Sequence, residues 1–333
     1  MATKTSRKLK YLTGFTTTQG SVDSSFQGQR WRIIFIEHRS EFSQGAVIGK
    51  RIIPVKHLLI ETYSPGKAKQ ILDLIYACWV VLNGCDYIGY DLHDLYNLDL
   101  ITLDEKPNIF PQKMWSDEIY DAGIMATKAS FRDSYVYAIQ KLCFSYQTYG
   151  AAPIDLDPHQ GNLPTPNLAK PFPPSIRIRI ADAIVSAYSA VEELGLDIHA
   201  SGNDPLKDKR GNWLPEKREE MISRLKQASI NVDETFIWDL RGGRKCIEEK
   251  KVFTQRGKKS PWSFGLHVRD EEIELVDAID RASFLRSQIA SHKFSSTKSG
   301  KKKLIKVLSI YDVANVQFLA RRLILESLKL WRV

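Results

Sequence analysis

The chain has few cysteines and no long apolar run. Four of its 333 residues are cysteine, and none forms a C-x-x-C pair or has a histidine at a zinc-binding spacing. We therefore expect reduced, structural thiols and neither a metal nor a cofactor. No uncharged stretch approaches the roughly 18 residues needed to cross a bilayer, and the basic N-terminal segment lacks the apolar stretch of a secretion signal. These absences predict a soluble cytoplasmic protein with no membrane partner.

Several motifs of common hydrolases are also missing. The sequence has no phosphate-cradling glycine loop ending in Lys-Ser/Thr and no G-x-S-x-G elbow, which argues against nucleotide and serine hydrolysis. Acidic residues do occur close together at Asp86, Asp91 and Asp94. They lack an E-x-K strand as a partner, so a magnesium-dependent nuclease in the N-terminal half has little support.

The charge is basic and unevenly placed. Lys and Arg number 48 against 39 Asp and Glu, a formal net charge of +9, and such an excess favours a polyanionic partner. The candidate phosphate-binding residues are Arg241 and Arg244 in WDLRGGRK, followed by Lys293, Lys301, Lys302 and Lys303. A glycine turn is the simpler explanation of the first group, and a solvated flexible loop explains the second as well as phosphate binding does.

The N-terminal half, residues 1–150, is predicted to be an α+β domain. Two β-branched and aromatic segments between Trp31 and Tyr63 indicate strands. A helix should follow, capped by Ser64 with Pro65 at its first position and ended by Asn83-Gly84. A second, long helix is predicted from Ser116 to Tyr149, with one face formed by Phe131, Tyr135, Ala138, Leu142, Ser145 and Tyr146.

Residues 151–174 contain seven prolines and no periodic segment. Because proline lacks a backbone donor and restricts its neighbour, this stretch is predicted to be a linker between two domains.

The remaining residues, 175–333, carry four amphipathic patterns and predict an all-α four-helix bundle, which makes the chain mostly α overall. The predicted helices run from Ser175 to Leu194, Pro215 to Ala228, Arg269 or Asp270 to Ser291, and Ile310 to Leu330. The third is expected to hold acidic residues in its first turn. The inward face of the fourth is expected to include Phe318.

The third of these helices ends in FLRSQIASHKF, which contains Arg286, Ser287 and His292. The same Arg-to-His spacing occurs at Arg32…His38 and Arg51…His57, but those two lie in segments that read as strands. Arg286 to His292 instead closes an amphipathic helix that a basic loop and a last helix follow. In that context the motif resembles the HEPN superfamily, and the helix IADAIVSAYSAVEELGL is similar to its first helix.

The resemblance implies a metal-independent endoribonuclease in antiviral defence or a toxin system. Six helical residues rise about 9 Å, so Arg286 and His292 of one chain need not meet. In the family two subunits pack these helices about a two-fold axis, and the resemblance therefore implies a homodimer that supplies the site. His292 would serve as general base or acid, Arg286 would bind the scissile phosphate, and Ser287 would contact the phosphate or the histidine. Glu192, or its neighbour Glu193, would orient the arginine or histidine.

RNA and a second subunit are thus the expected partners, together with a possible regulatory partner or antitoxin. The alternative is a non-catalytic bundle of the same type that binds nucleic acid or a partner protein.

Overall fold

The structure is a computed structural model, and it divides into two compact units, Met1–Gln140 and Lys141–Val333. The residues described are 8–21, 23–37, 46–48, 51–53, 55–84, 101–102, 114–115, 118–149, 174–197, 206–208, 213–238, 271–290 and 310–331. Residues 151–173 of the predicted proline-rich linker lie outside these ranges, and its last residue, Pro174, begins a helix instead.

A six-stranded sheet forms the centre of the first unit. Its strands are β1 (Leu9–Thr17), β2 (Ser25–Gly28), β3 (Trp31–Glu37), β6 (Lys56–Thr62), β7 (Ile101–Thr102) and β8 (Met114–Trp115). The hydrogen-bonded order is β2-β3-β6-β1-β7, all antiparallel, and β8 pairs in parallel with β1. A separate ribbon pairs β4 (Ala46–Ile48) with β5 (Arg51–Ile53). The first predicted strand segment is β3, whereas the second, predicted as one strand, is divided between β5 and β6 in two separate sheets. Strand β1 was missed.

Helix α1 (Pro65–Asn83) begins and ends as its sequence predicts. The Ser64 hydroxyl accepts a hydrogen bond from the backbone N–H of Lys67 at 3.2 Å, which satisfies one of the helix's free donors. Gly84 ends the helix at φ 70°, a conformation that glycine adopts without strain. The helix packs against β6 and α2 (Glu118–Ala129).

The predicted helix from Ser116 to Tyr149 is wrong as a single element, because it is two helices, α2 and α3 (Asp133–Thr148). The Ser130 hydroxyl donates to the Thr127 carbonyl at 2.7 Å and accepts the backbone N–H of Gln29 at 3.1 Å. Such side-chain bonds compete with helix continuation. Phe131, predicted to lie on the packed face, is 61% exposed in the resulting turn.

Four helices of the second unit correspond to the four predicted amphipathic segments. They are α4 (Pro174–Glu193), α5 (Pro215–Gln227), α6 (Leu275–Phe284) and α7 (Ile310–Ser327). Helix α7 packs against α4 and α6, and α6 also contacts α5. Many of the periodic apolar residues that predicted these helices are buried, among them Ile184, Ile279 and Leu323.

The start of the third predicted helix is wrong. Residues Glu271–Ile273 form strand β10, which pairs antiparallel with β9 (Phe236–Trp238), so α6 begins only at Leu275. Some of the acidic residues expected in the first helical turn belong instead to this ribbon. At its other end α6 continues into a π-helical turn, Leu285–Ala290, named the π segment below.

The described part of the chain is thus mostly helical, with a small, largely antiparallel sheet, as the composition and periodicity predict. None of the helices in these ranges is both long and apolar enough to span a membrane.

Candidate functional site

The candidate site lies where the π segment packs against the end of α4. The Arg286 Nη2 atom is 3.3 Å from Glu192 Oε1, and their side chains are 33% and 23% exposed. The two residues come from elements far apart in sequence that pack together. The resemblance-based pairing of an arginine on the third helix with an acid on the first is therefore present as a contact, and both groups remain within reach of solvent.

The acidic end of α4 gives a physical reason for this pairing. Glu192 and Glu193 occupy the last helical turn, which contains no basic residue. Negative charge is unfavourable there because the helix dipole places its negative end at the C-terminus. Cations from other elements must offset that cost, and Arg286 supplies one of them.

Lys141 supplies the second cation. Its ammonium group binds the Glu193 carboxylate, so the two adjacent glutamates face cations from two different elements, α3 and the π segment. Sequence reasoning missed Lys141. Two consecutive acids at a helix C-terminus were the available signal, since they call for two compensating charges.

Ser287 does not present a free hydroxyl to a ligand in this arrangement. Its Oγ donates to the Ser283 carbonyl one turn earlier at 2.6 Å, a local bond typical of serine inside helices. Contact with a phosphate requires the Ser287 side chain to leave that bond.

The π segment is unusual, as is the pair of adjacent glutamates at the end of α4. Hydrogen bonds from residue i to i+5 widen the turn, and single π turns occur frequently at functional sites. Widening also changes the direction in which later residues project, compared with a regular α-helix. Sequence periodicity gave no sign of it.

The other predicted site residues fall outside the described ranges. These are His292, Arg241, Arg244, Lys293, Lys301, Lys302 and Lys303, together with Asp86, Asp91 and Asp94 of the weaker nuclease hypothesis. The competing motifs behave as expected where they are described, because Arg32 lies in β3, Arg51 in β5 and His57 in β6.

Metal-binding chemistry has no candidate cluster within the described ranges, where no three His, Cys, Asp or Glu side chains gather as potential ligands. Cys78 and Cys143 are buried, and the structural role expected of the thiols stays a prediction. The absence of a metal or cofactor from the reaction stays a prediction.

A search of protein-family models, curated proteins and solved structures finds no match to the chain.

Proposed function

We propose that the chain is a metal-independent endoribonuclease of the HEPN type, whose reaction depends on Arg286 and His292. The observation that supports it best is the ion pair between Arg286 and Glu192. An arginine oriented by a carboxylate, two-thirds buried yet open on one side, is suited to bind a phosphate and to stabilise charge that develops on it.

The proposed reaction is an internal phosphoryl transfer. His292 removes the proton of a ribose 2′-hydroxyl, whose oxygen attacks the adjacent phosphorus, and the bond from phosphorus to the 5′-oxygen breaks. That oxygen leaves with a proton supplied by a protonated histidine. Imidazole suits both steps because its ordinary pKa lies near neutrality. The products are a 2′,3′-cyclic phosphate and a 5′-hydroxyl, and DNA resists cleavage since it lacks the attacking group.

A homodimer would complete this site. Two copies of the motif packed about a two-fold axis bring two Arg–His pairs to one groove, which one chain need not do alone. The basic residues Arg241, Arg244, Lys293, Lys301, Lys302 and Lys303 would then hold the flanking RNA phosphates. The proposed setting is antiviral defence or a toxin system, with a regulatory partner or antitoxin that restrains the enzyme.

The test is cleavage of a mixed RNA pool in EDTA by the full chain. Wild type should cut and leave cyclic-phosphate ends, and His292→Ala should lose at least about a hundredfold in rate. His38→Ala is the matched control, because His38 ends an Arg-to-His spacing identical to that of Arg286 and His292 but follows a strand. Equal loss in the two variants, or full activity in His292→Ala, contradicts the proposal.

The competing function is a non-catalytic bundle that binds nucleic acid or a protein. The internal hydrogen bond of Ser287 favours it, since that hydroxyl is already occupied within its own helix. Tight RNA binding by wild type and His292→Ala, without cleavage by either, would select this alternative.

A further inference from the structure

A row of four aromatic rings runs from β9 to the end of α7. Ring centroids lie 5.9 Å apart for Trp238 and Phe236, 5.6 Å for Phe236 and Phe318, and 5.9 Å for Phe318 and Trp331. These separations are typical of edge-to-face and tilted contacts. The two rings on β9 are buried, whereas Phe318 is 41% exposed and Trp331 is half-buried.

Phe318 was predicted to face inward, and its exposure corrects that prediction. The contacts of Phe318 with Phe236 and Trp331 leave much of its surface open to solvent. Its neighbours along the helix, Gln317 and Leu319, are buried. The exposed side of α7 at this point is therefore an aromatic surface.

Positive charge borders the Trp331 ring. The Arg321 guanidinium lies 5.8 Å from the Trp331 ring centroid, within the range of a cation–π contact. Lys329 is exposed. Two carboxylates near this end of α7, Glu326 and Glu234, are both bound by Arg322, which offsets one of their two charges. Arg321 and Lys329 add two positive charges, so these five groups together carry a net positive charge.

Lys329 also has an unusual backbone conformation. Its N–H donates to the Glu326 carbonyl, and the next N–H donates to the Leu325 carbonyl, the pair of bonds that closes a helix with a left-handed residue. Glycine is the usual residue at that position, yet Lys329 adopts φ 56°. The strained turn folds the chain back so that Trp331 meets Phe318.

We propose that Phe318, Trp331, Arg321 and Lys329, the aromatic platform, bind single-stranded nucleic acid. An unpaired base stacks on the exposed face of Phe318 or Trp331, and the two cations contact the flanking phosphates. Aromatic rings interleaved with basic side chains are the arrangement that single-strand binding proteins use. The inference goes beyond the proposed cleavage, because it requires neither Arg286 nor His292.

The test measures fluorescence anisotropy of a labelled oligoadenylate of about 12 nucleotides, in ribose and deoxyribose forms, with the full chain. The deoxyribose form cannot be cut by the proposed reaction. Phe318→Leu keeps an apolar side chain without a ring, and Phe318→Tyr keeps the ring. We expect about tenfold weaker binding for the leucine variant and little change for the tyrosine variant.

Lys329→Gly distinguishes an effect on nucleic-acid affinity from an effect on stability. Glycine relieves the left-handed strain, so the melting temperature should stay constant or rise, while loss of one phosphate contact weakens binding and reduces its salt dependence. A melting curve for each variant identifies any that fail to fold.

Equal affinity of Phe318→Leu and wild type would overturn the proposal. A failure of wild type to bind the oligonucleotide would also overturn it. The same holds if polyphosphate, which has no bases, displaces the oligonucleotide equally well from wild type and from Phe318→Leu. Repeating the measurement in Arg286→Ala keeps the two proposals apart. Binding should persist there if the platform is correct, whatever happens to RNA cleavage.

Discussion

The second unit contains two arginine–glutamate pairs whose surroundings differ sharply. Arg322 and Glu326 expose only 5% and 7% of their side chains and lie 2.6 Å apart, whereas Arg286 and Glu192 expose 33% and 23% and lie 3.3 Å apart. Arg322 further binds the Thr235 carbonyl and the Glu234 carboxylate. Glu326 also accepts the backbone N–H of Asn231.

The comparison separates a charge that holds the fold from a charge that can act on a ligand. The bonds of Arg322 are directed to α7 and to the segment before β9, so little remains for an incoming group. The Arg286 pair lies at a surface where water can be replaced by a phosphate. Buried charge requires complete pairing, while a partly exposed pair contributes less to stability and is open to other use.

The largest expected effect is that of Arg322→Met on stability. Removal of the guanidinium leaves Glu326 buried without its partner, which should lower the free energy of unfolding by about 3–5 kcal/mol. Chemical denaturation followed by tryptophan fluorescence measures the loss. The double variant Arg322→Met/Glu326→Leu is the control, because replacement of both charges by apolar groups should recover much of the stability. A loss below about 1 kcal/mol in the single variant would erase the distinction between the two pairs.

Arg286→Ala should have the opposite profile. The free energy of unfolding should fall by less than about 1 kcal/mol, as for other partly exposed ion pairs. RNA cleavage should fall by about a hundredfold or more, because the proposed ligand of the scissile phosphate is gone.

Glu192→Gln tests the same ion pair from the side of the carboxylate. It keeps the size of the side chain but weakens the orientation of Arg286, so an intermediate rate is expected, again with little change in stability. A large stability loss in either variant, with cleavage unaffected, would assign this pair a structural role like that of Arg322.

The sequence predicted the helices of the second unit well because their apolar residues recur at a single period. Helix α4 was predicted within one residue at each end, as Ser175–Leu194 against Pro174–Glu193. Prediction failed where contacts distant in sequence decide the structure. Pairing of β10 with β9 takes Glu271–Ile273 out of the third helix, and no local pattern indicates that partner.

The candidate site likewise has features that the sequence predicted and features that it did not. Arg286 and Glu192 were singled out through a resemblance, and spacing alone would not have chosen them over the two other Arg-to-His motifs. Lys141, the π segment and the row of aromatic rings were missed because each depends on packing between elements. Strand β1 was missed since its Thr-rich stretch, Thr13 to Thr17, is buried despite its polar side chains.

Asp73, in the first unit, is a partly buried carboxylate whose charge is less well compensated than that of Glu326. Burial raises the pKa of Asp73 on α1 above its ordinary value, and the charge of Lys69, one turn earlier, only partly opposes that shift. The folded state therefore binds the Asp73 proton more tightly than the unfolded state does. It follows that this residue favours folding most at low pH, and that its contribution is lost as the pH rises through the folded pKa.

Asp73→Asn should consequently raise the melting temperature slightly at about pH 7, with the gain shrinking toward about pH 3.5, where the wild-type carboxyl is largely protonated. Differential scanning calorimetry at several pH values measures this small difference. Lys69→Gln is the matched change in the other direction, since loss of the compensating cation should lower the melting temperature at neutral pH. If Asp73→Asn raises the melting temperature equally at both pH values, the shape of the side chain and not its charge is responsible. Burial of the Asp73 carboxylate would then carry no electrostatic cost of the kind that Arg322 offsets for Glu326.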